Sequence, residues 1–148
     1  MYAAFFSILQ PGTHLSVHWG YYKGFVRYHL GVIVPNNNED QKCWIRFNPD
    51  YEFNKETEAA VTAGDRSMME DQTKYYWKEG EAVMFDDNFI HEAKNEYDEP
   101  RVVLFLDVTR KLPWYAHFIN KTMLFVAMRD PVIRNLKKSS IVKLREDS

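Results

Sequence analysis

Five histidines lie along this sequence, at His14, His18, His29, His91 and His117. A lone histidine in a strand is usually a packed core or surface residue, so none of them marks a site by itself. His117, in a helical stretch, belongs to that ordinary class. Three others stand in more telling places. His18 follows the Pro11-Gly12 turn and precedes Gly20, His29 shares a strand face with Arg27, and His91 comes just after the turn-like Phe85-Asp86-Asp87-Asn88-Phe89. Two imidazoles with positions left open suit a redox-active divalent metal such as Fe(II), which must accept a chelating co-substrate and then oxygen.

Arg101 opens an apolar strand, where an arginine is costly unless it meets an anion. Its planar fork would bind a carboxylate bidentately, which suits the distal carboxylate of a small dicarboxylate such as 2-oxoglutarate. The alternative is an ion pair with a structural acid such as Asp86 or Asp107. Spacing alone does not choose between the two.

Residues 1–110 read as strands and turns, and these elements must position the groups above. Strands are expected at 3–9, 25–34, 43–47, 74–77, 82–85 and 101–108, bounded by Gly, Pro and polar clusters. Alternation puts Phe25, Arg27 and His29 on one face, and Val26, Tyr28, Leu30 and Val32 on the other. In the last strand Arg101, Val103, Phe105 and Asp107 share a face. Residues 48–73 are acidic and lack a period-2 pattern, so they read as an insertion holding a helix near 55–63; a loop this long is usually functional or mobile. After Pro113 the pattern turns helical over 114–128, and a short basic helix is expected beyond Asp130-Pro131. Many short strands followed by a helix point to a small barrel or sandwich.

The chain has 148 residues, 45% of them hydrophobic and 16% aromatic, which suits one folded domain and argues against disorder. A formal charge of −2 offers no footprint for nucleic acid. The cations gathered at 134–145 read as a solvated tail. Cys43, the single cysteine, excludes an internal disulfide and fits a reducing compartment, so a cytoplasmic location is expected. Residues 1–9 are apolar but short and lack a basic flank, unlike a signal peptide. No apolar run is long enough to span a membrane. Oligomeric state is not legible.

Several blocks together carry a resemblance. They are Phe6-Ser7-Ile8-Leu9 with Pro11-Gly12-Thr13-His14, His18-Trp19-Gly20, Arg27-Tyr28-His29-Leu30-Gly31, Trp77-Lys78-Glu79-Gly80-Glu81, Phe85-Asp86-Asp87, His91-Glu92 and Arg101-Val102-Val103-Leu104. In order and spacing, residues 5–108 resemble the aspartyl/asparaginyl β-hydroxylase family of Fe(II)- and 2-oxoglutarate-dependent oxygenases. The resemblance implies a double-stranded β-helix, a jelly-roll or cupin-like barrel, with a C-terminal helix. The whole of 1–148 would form one domain: a barrel over 1–110, the insertion at 48–73 and a helical segment at 113–138.

It also implies a role for each position. His18 and His91 would hold the iron. Gly20 falls where the usual two-histidine, one-carboxylate triad has its acid, and animal members have glycine there, so two protein ligands are expected. Arg101, helped by Ser7, would hold the distal carboxylate of 2-oxoglutarate, and His29 would contact the metal-proximal one. Arg27 matches a position that binds the substrate's acidic side chain in the animal enzymes. Asp87 either orients a ligand histidine or caps a turn; Asp86 caps the turn.

Departures bear on the substrate. Animal members carry a second arginine where this chain has Phe25, and an apolar wall there suits an acyl chain. Asp107-Val108-Thr109-Arg110, Leu112-Pro113-Trp114 and Asn120 are similar to the ending of bacterial members, including lipid A hydroxylases. The expected activity is hydroxylation of an unactivated C–H with O2 as the oxidant, on a lipid-like acyl chain or an Asp/Asn-type residue. The partner is then a small molecule, lipid or peptide, and not nucleic acid. The apolar stripe of the C-terminal helix could rest on a membrane surface, though packing against the barrel is the expected outcome. Two rivals stand beside this reading. One is a catalytically silent barrel that binds a carboxylate ligand or a partner; the other is a cupin-like metalloprotein of different chemistry.

Overall fold

The computed structural model describes residues 3–20, 22–52, 54–127 and 129. They divide into two compact units, residues 1–110 and 111–148. The first contains strands β1 (Ala3–Leu9), β2 (His14–His18), β3 (Phe25–Ile33), β4 (Cys43–Glu52), β5 (Lys74–Tyr76), β6 (Ala82–Phe85), β7 (Phe89–Asn95) and β8 (Arg101–Thr109), with helix α1 (Lys55–Thr62) between β4 and β5. The second contains helix α2 (Trp114–Ala127). The basic helix expected beyond Asp130-Pro131 lies outside the described residues.

Two four-stranded antiparallel sheets form, in the orders β1-β8-β3-β6 and β2-β7-β4-β5. The chain passes back and forth between them, and the result is the strand order of a double-stranded β-helix, mainly β with a C-terminal helix. Alternation sorts the faces of the first sheet as expected. Ser7 pairs with Val103, Arg27 with Asp107, and His29 with Phe105, all turned inward. Inside, Leu9, Val34, Cys43, Ile45, Trp77, Phe85, Ala93 and Val103 make the main apolar cluster.

Two strands escaped the sequence pattern, β2 and β7, and they pair with each other. β4 also runs on to Glu52, past a register shift that follows Asn48. The segment beyond it is anchored. Asn54 caps α1 by accepting from the Glu56 and Thr57 amides, Asn48 donates to the Met68 carbonyl, and Met68 and Met69 pack with Val17 and Ile90.

Gly31 keeps the first sheet open to a close approach. A Cβ there would fall 2.2 Å from the Lys78 carbonyl oxygen. The 78–81 turn is hydrogen-bonded onto this residue, Gly31 donating to the Glu81 carbonyl and Gly80 donating to that of Gly31. The obstacle is backbone, which cannot rotate away. Gly31→Ala is therefore expected to cost about 1–3 kcal/mol of stability, as overpacking does; a urea midpoint equal to that of the parent protein would show that the turn yields.

Candidate active site

β2 and β7 place His18 directly opposite His91, with ring centroids 4.1 Å apart. The pairing depends on an irregularity. His14 pairs with Lys94 and His18 with His91, so the register shifts between Leu15 and His18. Strict alternation would put His18 on the same face as His14; the extra residue turns it inward. Each ring is then oriented by its own strand. The Nδ1–H of His18 donates to the Ser16 carbonyl at 2.8 Å, and that of His91 to the Phe89 carbonyl at 2.8 Å. A carbonyl can only accept, so both rings carry their proton on Nδ1 and offer the Nε2 lone pair. Burial lowers the pKa of both, that of His91 to about 3. Two neutral imidazoles presenting free Nε2 atoms on one surface fit a divalent metal.

The same interior holds a place for an anion. Arg101 is buried beneath the Trp77 ring, its guanidinium 5.0 Å from the ring centroid. Neither acid proposed to pair with it does so: Asp86 bonds Arg110, and Asp107 faces Arg27. The Arg101 Nε has no hydrogen-bond partner among the described residues. Ser7 sits diagonally from Arg101, because Leu9 is its direct partner across the ladder. His29 is packed among Phe105, Phe85 and Trp77, and neither ring nitrogen has a partner among the described residues. Burial, with the charges of Arg101 and Arg27, lowers its pKa to about 3. A buried cation short of an anion beside a neutral imidazole short of any partner fits a carboxylate guest.

Arg27 is already engaged. It donates to Asp87, stands 3.5 Å from the Asp107 carboxylate through Nε, and lies over the Phe105 ring at 4.5 Å. Asp87 is 2% exposed, with Oδ1 3.5 Å from His91 Nε2. Burial raises its pKa to about 6, against the opposing pull of Arg27. Asp86 accepts from the Asn88 amide and so caps the turn, as expected. Phe25 shares the face of Arg27 and packs on Tyr22 at 5.3 Å.

Sequence reasoning offered Asp107 as a partner for Arg101; it faces Arg27 instead, on the face that alternation along β8 had given it. It also missed a network on the outer side of the second sheet, where buried Glu92 takes Arg46 and His14 as partners. A groove of about 540 Å³ is lined by Phe47, Pro49, Gln72, Thr73, Met84, Phe85, Asp86 and Phe89, and by neither histidine. The rings of Phe85 and Phe47 reach the His91 ring at 5.3 and 6.3 Å.

Comparison with known proteins follows this geometry. The family model described as Aspartyl/Asparaginyl beta-hydroxylase matches residues 1–111. An Ornithine lipid ester-linked acyl 2-hydroxylase of Rhizobium tropici is 37% identical over 131 residues, covering 88% of this chain and 38% of that protein. The Aspartyl/asparaginyl beta-hydroxylase of Homo sapiens is 29% identical over 103 residues, 70% of this chain and 10% of that protein. This chain thus spans well under half the length of either relative. Among solved structures, a Cupin_2 domain of an XRE family transcriptional regulator from Enterobacter cloacae aligns at a TM-score of 0.42 and 14% identity, over 73% of this chain and 81% of that one.

The buried groups make stability depend on pH. His29 and His91 stay neutral to about pH 3 in the fold, whereas an unfolded histidine protonates near 6.5. Below pH 6.5 the unfolded chain takes up protons that the folded one cannot, so stability falls as pH falls. Asp87 acts in the opposite sense, binding its proton near 6 in the fold and near 3.8 when unfolded, and it offsets part of the loss. Between pH 7 and 5 the metal-free protein is expected to lose about 2 kcal/mol net, read from urea unfolding. Asp87→Asn removes the offset and steepens the fall. Stability that is level across this range would contradict the buried neutral imidazoles.

Proposed function

This chain belongs to the aspartyl/asparaginyl β-hydroxylase family, and from that premise we propose that it is an Fe(II)- and 2-oxoglutarate-dependent dioxygenase hydroxylating a C–H of a lipid-like acyl substrate. The observation that carries the reading is the pair of inward Nε2 atoms on His18 and His91, on the same interior as an acid-free Arg101. When bound there, iron with 2-oxoglutarate and O2 supplies the oxidising power for C–H cleavage.

The chain's own residues do the positioning. His18 and His91 hold the metal through Nε2, each fixed by the carbonyl behind it. The Arg101 fork, with the Ser7 hydroxyl, takes the distal carboxylate of 2-oxoglutarate. Neutral His29 offers one N–H to the proximal carboxylate without adding charge next to the metal. Trp77, Phe85 and Phe105 keep water from this end of the barrel.

An apolar substrate is favoured over an acidic side chain for two reasons. Arg27 has Asp87 and Asp107 as partners already. The groove behind Phe47 and Phe85, the rings that pack on His91, has five apolar residues beside Gln72, Thr73 and Asp86. The acyl 2-hydroxylase of Rhizobium tropici points the same way.

Helix α2 supports delivery from a lipid surface. Trp114, Tyr115, Phe118, Ile119, Met123, Phe125 and Val126 form its apolar stripe. These residues cover about half the helix circumference, and residues 110–129 contain Arg110, Lys111, Lys121 and Arg129 without an acid. No helix among the described residues is long and apolar enough to cross a membrane. Free, buried Cys43 accords with a cytoplasmic placement against the membrane face.

Succinate release from 2-oxoglutarate is expected to be stimulated by acyl lipids more than by free amino acids or acidic peptides, and His18→Ala is expected to bring it to background. Stimulation by peptide alone would reverse the substrate assignment, and wild-type turnover by the variant would reverse the ligand assignment. The protein should also float with phosphatidylglycerol-containing vesicles, and Phe118→Asp with Phe125→Asp should abolish that. Flotation unchanged by the double substitution would remove α2 from the contact.

A further inference from the structure

The side chain that Gly20 lacks has its place filled by another residue. A Cβ on Gly20 would fall 1.7 Å from Asp87 Oδ2 and 2.5 Å from its Cγ. The two residues are also joined through the backbone, the Gly20 amide donating to the Asp87 carbonyl at 2.6 Å. A carboxylate therefore stands where a side chain at position 20 would project, and it comes from the turn before β7. Its Oδ1 is 3.5 Å from His91 Nε2, the atom with the free lone pair. Among the described residues no three His, Cys, Asp or Glu side chains converge as a metal site. Arg27 donates to that same Oδ1.

Building on the iron site proposed above, we propose that Asp87 is a third protein donor held in reserve, and that Arg27 is the positioning residue that keeps it off the metal. Arg27 has a second acid at hand, with its Nε 3.5 Å from Asp107 Oδ1, an atom without a hydrogen-bond partner among the described residues. It can release Asp87 and remain neutralised. A shift of Arg27 towards Asp107 adds a carboxylate to the two imidazoles. The position of Arg27 and the number of donors on the metal are then one event seen from two ends.

Co(II) binding to the metal-free protein, followed by its visible absorption, tests this without turnover. Arg27→Gln is expected to tighten Co(II) binding about tenfold, within the range of effects of groups that support ligands, and to change the absorption as a donor is added. Removing a cation near the metal would by itself tighten binding, so the same substitution is made in an Asp87→Asn background, where the gain is expected to vanish. Arg27→Lys keeps the charge and gives up the fork; it is expected to tighten binding in the same direction by a smaller factor, and it stands in if Arg27→Gln fails to fold. A gain that persists without Asp87, or no gain with either Arg27 variant, overturns the inference while leaving the iron site in place. Failure of the parent protein to bind Co(II) overturns the iron site and this inference together.

Discussion

Burying an ionisable group is expensive unless something answers its charge, and the interior of this barrel buries many of them. Asp87 and Asp107 share the single cation Arg27, and the two deepest histidines stay neutral. Arg101 alone keeps a charge with no acid opposite it among the described residues. The arrangement is a balance with one term missing. A divalent metal at the histidines and a doubly negative guest reaching Arg101 would bring charges that cancel, and would give Arg101 its anion.

The two sheets divide the labour. The first carries what would grip the guest, Ser7, His29 and Arg101, on three neighbouring strands whose register leaves no freedom about which residues face inward. The second carries the histidine pair proposed to hold the metal, on two adjacent strands. Aromatic rings fill the space between, so the polar groups meet a low-dielectric surrounding in which each contact is worth more than it would be in water. That setting also explains why Arg27 matters beyond its own contacts. It is the one cation common to both buried acids.

Much of this was legible in the residues before any coordinates. Period-2 alternation identified the inward faces of β3 and β8, so His29, Arg27 and Arg101 could be grouped correctly, and the helix at 114–127 followed from its spacing. The two strands bearing His18 and His91 did not show themselves, for a physical reason. In β2 a register shift breaks the alternation just where His18 must turn inward. In β7 both faces are buried and polar, with His91 inside and Glu92 held by Arg46 and His14 outside, so no hydrophobic period survives to be read. The partnership of Asp87 with Gly20 was equally hidden, since it joins two loops far apart in sequence through a missing side chain.

β2 is the outermost strand of its sheet, bonded only to β7. His18 therefore sits on an edge strand, and His91 on one held from both sides. An ion shared by the two rings is a cross-link between a fraying margin and a fixed one. Loading the site would slow amide exchange along β2 far more than along β7. Loss of the ion would begin as a local unzipping of five residues and leave the rest of the barrel intact.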